Sequence, residues 1–230
     1  MNFTAKIRIG RNPSIEFLRF FKDRNWLKLE FPELFNQQLT KETHILEIGC
    51  GAGNTFFPIV RQKIPNLFVY GCDYSSTAVE IVKNHPEYDE HHGKAFVYDI
   101  SSPDLPSFIP PASIDIISCV FVLSALHPNT WENAVKNIWT LLKPGGLVVL
   151  RDYGRYDLTQ LRMKRNRRIG ENFYIRGDGT RVYFFTNEEL STIFSKFEIL
   201  QNAADRRLLV NRAKKLKMFR IWVQGKFKKL

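Results

Sequence analysis

Three glycines and three acids are the residues of this chain whose spacing could do chemistry. In ILEIGCGAGN (45–54), Glu47 sits in an apolar run, and Gly49, Gly51 and Gly53 follow at alternate positions. Asp73 comes 20 residues after Gly53, and Asp99 closes a further apolar run. Glycine lets a backbone approach a ligand closely and take dihedrals that other residues avoid. A helix starting just after such a loop offers free amides. An acid about 20 residues on is placed to grip ribose hydroxyls, and one at the next strand end can accept a hydrogen bond from an adenine amine. Each acid alone could equally cap a helix or turn. Together they describe a nucleoside held across neighbouring strand ends.

The loop narrows the nucleoside. A dinucleotide fingerprint would need glycine at position 54, which is Asn54. A pyrophosphate would be repelled by three carboxylates, whereas a cofactor carrying a sulfonium and an ammonium would be attracted. S-adenosyl-L-methionine meets that electrostatic demand, and the pattern resembles the motifs of class I methyltransferases. Glu47, Gly49, Gly51, Gly53, Asp73 and Asp99 are therefore the expected cofactor residues, with no metal.

Such a loop must be positioned by a sheet. Apolar runs at 44–49, 67–72, 95–99, 114–122 and 146–152 alternate with helical patterns near 54–63, 75–84 and 131–142. Several runs are continuously apolar, as strands covered on both faces must be, and the alternation predicts a parallel sheet wrapped by helices. Residues 205–211 and 217–227 read as a hairpin closing one edge. The expected fold is α/β and Rossmann-like, a mostly parallel seven-stranded sheet with an antiparallel C-terminal hairpin. Residues 1–40 form an aromatic-rich helical lead-in. Residues 41–230 form the methyltransferase domain, with a basic, aromatic insertion at about 153–185.

The chain has 230 residues and a net charge of +11. Residues 1–150 hold 14 Lys and Arg against 15 Asp and Glu, and residues 151–230 hold 20 against 8. The whole positive excess thus belongs to the last third, which predicts a polyanionic partner. No run of about 18 apolar residues exists to span a membrane. Cys50, Cys72 and Cys119 lie in apolar runs without CxxC pairing, which argues for a reducing compartment and against disulfides or zinc. The first 15 residues carry Lys6, Arg8 and Arg11 and no acid, a pattern shared by organellar presequences and short basic tails. The expected compartment is cytoplasmic, with nuclear and mitochondrial locations left open.

RDYGRYDLTQLRMKRNRRIGENFYIRGDGTRVYFF (151–185) interleaves cations with aromatics. Guanidinium groups hold phosphates and aromatic faces stack splayed bases. Arg162, Lys164, Arg165, Arg167 and Arg168, with Arg206, Arg207, Lys214 and Lys215 in the later run, are the expected RNA contacts.

The blocks FFKDRNWLKLEFPEL (20–34), LEIGCGAGNTFFPI (46–59), CDYSSTAVE (72–80), FVLSALHP (121–128), RDYGRYD (151–157), ENFYIRGDGTRVYFFT (171–186) and DRRLLVNR (205–212) resemble the eukaryotic tRNA N3-methylcytidine methyltransferases. The resemblance runs from about residue 20 to near the end of the chain. It implies methylation of cytidine 32 in the tRNA anticodon stem-loop. Some members work with a partner such as a seryl-tRNA synthetase. The family's cofactor contacts fall on Gly49, Asp73, Asp99, Ile100 and Val120. Where the family has a Trp-x-x-x-Tyr pair upstream of the first block, this chain has Ile9 and Pro13.

N3 of cytosine is neutral and carries a free in-plane lone pair, so no general base is needed and catalysis rests on placement. A carboxylate near the base would stabilise the developing charge. Asp152 is the candidate, with Tyr153 and Phe121 as stacking neighbours; fixing Arg151 or capping a turn is its other possible job. Arg24 could hold the methionine carboxylate or, with Trp26, pin the lead-in over the fold. His127, before Pro128, reads as a helix-start residue. Two other functions stay open: a non-catalytic RNA-binding subunit of this fold, and a methyltransferase for a small molecule or protein.

Overall fold

The computed structural model describes residues 23–24, 26–36, 41–212 and 216–230. Most of the 1–40 lead-in, including Ile9 and Pro13, lies outside them. Its described part is a single turn of helix, α1 (Leu27–Glu30), and a 3-10 turn (Pro32–Phe35). Leu27, Phe31, Leu34 and Phe35 are buried against the domain.

Five parallel strands follow: β1 (Thr43–Ile48), β2 (Leu67–Asp73), β3 (Gly93–Val97), β4 (Ile114–Val120) and β5 (Leu142–Tyr153). The helices α2 (Phe56–Val60), α3 (Ser76–Lys83) and α4 (Trp131–Leu141) cross between them. The 153–185 stretch carries a short helix, α5 (Leu158–Leu161), and a separate small sheet. That sheet is β6 (Arg168–Gly170), β7 (Phe173–Ile175) and β8 (Arg181–Tyr183). After α6 (Asn187–Ile193) come two long antiparallel strands, β9 (Glu198–Asn211) and β10 (Leu216–Lys228).

The main sheet has seven strands in the order β3-β2-β1-β4-β5-β10-β9. All of its pairs are parallel except β10 with β5 and β10 with β9. Two apolar clusters cover the sheet, one including Leu46, Ile117 and Phe227 and the other Ile45, Phe56 and Val149. Burial on both faces explains why these strands read as unbroken apolar runs.

Of the boundaries that differ from expectation, two bear on the site and the sheet edge. β3 stops at Val97, so Asp99 lies in the loop beyond the strand. The hairpin is longer than its alternation suggested, because β9 begins at Glu198 in a stretch without a clean in-and-out pattern.

Candidate active site

The chain reverses its strand order at β1 and β4, where loops from adjacent strands diverge and leave a crevice. Gly49, Gly51 and Gly53 form the loop after β1 with φ of +66°, +52° and +85°. A Cβ on Gly49 would lie 2.5 Å from Val122 Cγ2, and one on Gly53 would lie 2.4 Å from Phe57 Cε2. Left-handed backbone and lack of room together require glycine at both positions.

Asp73, at the end of β2, accepts hydrogen bonds from Gly51 N and Ser75 N, both at 2.9 Å. It ties the glycine loop to the start of α3. Exposed Asp99 accepts from Ser101 N at 2.8 Å and Ser101 Oγ at 2.6 Å. Ile100 beside it is buried, as is Val120 at the end of β4.

Glu47 is buried at 2 % exposure, and its Oε2 has no hydrogen-bond partner. Burial pushes its carboxyl up to about 8, against the opposing pull of Arg24 and a hydrogen bond with Thr55. Arg24 donates to Thr55 Oγ1 at 2.9 Å and lies 5.7 Å from the centre of the Phe121 ring. It therefore closes the crevice between the loop and β4, while its backbone N–H donates to Asn54 O at 3.1 Å.

Phe121 follows β4 with a φ of +61°, a conformation that costs a non-glycine residue about 1–3 kcal/mol. Its ring packs at a 45° tilt against that of Tyr153, the last residue of β5, at 4.9 Å between centroids. Asp152 lies beneath this pair, fully buried, and accepts from Ser124 N at 2.9 Å and Tyr153 N at 2.8 Å. Burial raises its carboxyl to about 6. Its observed contacts hold the turn that carries Phe121, and it does not line the cavity described next. Arg151 points elsewhere, to Asp205 and Gln224. His127 accepts from Asn129 N at 3.2 Å at the start of a 3-10 turn, a structural job.

An open cavity of about 370 Å³ adjoins Phe121 and Tyr153. Register builds it: Trp222 pairs with Tyr153 and with Asp205, Gln224 with Arg151, and Arg220 with Arg207. Alternate residues of a strand share a face, so Arg151, Tyr153, Arg207, Leu209, Arg220 and Trp222 all line the same side, and Trp26 and Glu30 of the lead-in close it. The Arg151 guanidinium lies 4.9 Å from the Trp26 ring centre and 4.7 Å from that of Trp222. Arg176 approaches the Tyr153 ring to 4.8 Å, and its Nε is buried without a partner.

Trp222, Arg220, Arg151 and Arg176 were not among the expected site residues. The alternation Arg220, Trp222, Gln224 was the one available signal, and it does not say which strand lies opposite. Of the expected RNA contacts, Arg162, Lys164, Arg165, Arg168 and Arg206 are exposed. Arg167 donates to Arg176 O at 3.3 Å, and Arg207 is held by Glu30 at 2.5 Å and Asp205 at 2.9 Å. Lys214 and Lys215 lie outside the described residues.

A parallel sheet with this reversal, a glycine cradle and a buried carboxyl with one unpartnered oxygen defines a class I methyltransferase that uses S-adenosyl-L-methionine. The residues fit that cofactor: Glu47 leaves one carboxyl oxygen free for an ammonium, and the backbone at Gly51 borders open space. The family model described as a methyltransferase domain matches residues 46–148. Solved SAM-dependent methyltransferases share the fold. The one from Methanosarcina mazei has a TM-score of 0.63 at 23% identity, covering 87% of this chain and 98% of that one.

The chain is 53% identical over 215 residues to the tRNA N(3)-methylcytidine methyltransferase of Schizosaccharomyces pombe, covering 92% of this chain and 70% of that protein. It is 50% identical over 247 residues to the tRNA N(3)-cytidine methyltransferase of Danio rerio, again covering 92% and 70%. A third relative is the tRNA(Thr) (cytosine(32)-N(3))-methyltransferase of Saccharomyces cerevisiae. It is 52% identical over 215 residues, covering 90% of this chain and 34% of that protein. The chain belongs to the tRNA N3-cytidine methyltransferase family.

Proposed function

We propose that this protein transfers a methyl group to N3 of cytidine in tRNA, at position 32 of the anticodon loop. The observation that carries the reading is the adjacency of two sites. The glycine crevice and the arginine-lined aromatic cavity meet at Phe121, whose neighbour Val120 is the last residue of β4. The activities named for the family relatives support tRNA and N3, and that of the Saccharomyces cerevisiae relative supports position 32.

The cofactor supplies an electrophilic methyl group on a sulfonium. The chain's residues supply placement. Glu47 would hold the cofactor's ammonium, Asp73 its ribose, and the loop around Asp99 and Ile100 its adenine. The target base must leave its stack to expose N3. Phe121 and Tyr153 then hold it by stacking, with N3 directed at the crevice. No general base is required, because the nitrogen attacks with a lone pair and loses no proton. Asp152 acts through the turn it clamps, and as a buried anion it also favours the positive charge that arrives on the cytosine ring.

Incubation with methyl-labelled cofactor and total tRNA, followed by nucleoside analysis, tests the reading. Label in N3-methylcytidine supports it, and label in any other nucleoside refutes it. The resemblance supports a finer expectation, a seryl-tRNA synthetase or other protein partner. Purified serine and threonine tRNAs, assayed with and without that synthetase, test it by the gain in rate.

A further inference from the structure

The aromatic cavity does not end at Arg220. That residue also walls a second open cavity of about 290 Å³, lined by Leu158, Thr159, Arg162, Met163, Met218 and Arg220. Met218, Arg220 and Trp222 alternate along β10 and share a face, so both cavities open along one side of the same strand.

A single carboxylate fixes the second cavity's walls. Asp157 is fully buried. Its Oδ2 accepts from Arg220 Nε and Ile221 N, both at 2.8 Å, and its Oδ1 accepts from Thr159 N at 2.8 Å. It therefore holds the start of α5 against β10, with the space between them open. Leu158, Met163 and Met218 make that space apolar, and Arg162 and Arg220 place cations at its rim.

We infer that this second cavity takes the base of the nucleotide next to the methylated cytidine in the same RNA strand, with the phosphate between the two at Arg220 and Arg162. The inference rests on the RNA reading of the first cavity. A base offers flat apolar faces, and methionine adapts to them through its polarisable sulfur. A guanidinium suits the phosphate. The shared wall at Arg220 places a cation where a strand leaving one cavity for the other must pass. Two bases are then splayed side by side, and the enzyme discriminates at a neighbour of its target as well as at the target.

The test uses hairpin RNAs carrying the target cytidine in the loop, intact or with an abasic residue on its 5′ or 3′ side. Binding to the full chain is measured by fluorescence anisotropy. In the wild type, one of the two abasic hairpins binds about tenfold more weakly, the loss expected for one stacked base. Met163→Trp and, from the opposite wall, Met218→Trp each fill the cavity. In them the intact hairpin binds about tenfold more weakly, and the abasic lesion adds nothing further. Thermal unfolding identifies which variant retains the fold, and either one suffices. Equal binding of all three hairpins by the wild type would overturn the inference, as would an undiminished abasic effect in a filled variant. Failure of the wild type to bind even the intact hairpin would instead refute the RNA reading, and this inference with it.

Discussion

Phe121 directly follows β4 and Tyr153 ends the adjacent parallel strand β5, with their ring centroids 4.9 Å apart, and the backbone N–H of Phe121 donates to Arg151 O at 2.8 Å. The strand pairing sets the ring spacing, and the left-handed φ at Phe121 turns the chain away immediately afterwards.

Removal of the Tyr153 ring should therefore affect RNA more than cofactor. Tyr153→Ala is expected to raise the KM for tRNA about tenfold or more, since stacking on one ring contributes about 1–3 kcal/mol. Tyr153→Phe should retain most activity. Steady-state kinetics on both variants, with cofactor affinity measured by calorimetry, checks the split.

Gly49→Ala should weaken cofactor binding by roughly ten- to a hundredfold. Its methyl would meet Val122 at 2.5 Å in a backbone already at φ +66°, and overpacking of this kind costs about 1–3 kcal/mol. At Gly51 a Cβ meets nothing within 4 Å, so Gly51→Ala carries only the dihedral strain of φ +52°, on the order of 1 kcal/mol. Calorimetric titration with S-adenosylhomocysteine should rank the two variants in that order.

Glu47 gives cofactor binding a pH dependence. Its carboxyl is raised from 4.5 to about 8 by burial, so at pH 7 it is mostly protonated until a cation arrives. Binding should release a proton, and affinity should rise with pH until about 8 and then level off. For the free protein the sign is the reverse. A raised carboxyl is harmless below pH 4.5 and costs stability as pH climbs towards 8. Glu47→Gln should remove the proton release, seen as equal binding enthalpies in buffers of different ionisation heat. It should also unfold at a higher temperature than wild type at pH 8.

Affinity for tRNA should fall steeply with salt. If six or more cations meet phosphates, raising salt from about 50 to about 200 mM costs roughly a thousandfold. The triple variant Arg162→Glu, Arg165→Glu, Arg168→Glu should flatten the slope of log Kd against log salt. Its affinity for S-adenosylhomocysteine should match that of wild type.

Arg151 should tolerate no replacement. It is 4 % exposed, bridges Asp205 at 2.5 Å and lies between two tryptophan rings. Arg151→Ala empties the space beside the two rings, while Asp205 keeps its pairing with Arg207, and should cost about 1–3 kcal/mol. Arg151→Lys should recover little, because an ammonium lacks the flat face that packs between the rings. Chemical denaturation of both variants measures the loss.

The cofactor crevice was legible in the chain because its parts are local. Glu47 and the three glycines span seven consecutive positions, Asp73 closes the next strand, and unbroken apolar runs announce a sheet covered on both sides. The basic last third was equally plain from charge counting. The length of β9 was not, because its side chains lack a clear alternation. The place of Asp99 beyond its strand was also missed, because strand ends carry no sharp signal.

The cavity beside the crevice belongs to a different category. Its walls come from Trp26, Phe121, Tyr153, Arg207 and Trp222, residues scattered over most of the chain. Alternation along β10 shows that Arg220, Trp222 and Gln224 share a face, but only antiparallel register sets Trp222 opposite Tyr153 and Gln224 opposite Arg151. The job of Asp152 was likewise decided in three dimensions. Its sequence neighbours place it at a strand end beside the site, and the packing of Ser124 and Tyr153 over it turns it into a clamp. Local composition states what a strand end could bind. Which side chains meet there depends on pairing between segments far apart in sequence, and that pairing is a property of the folded sheet.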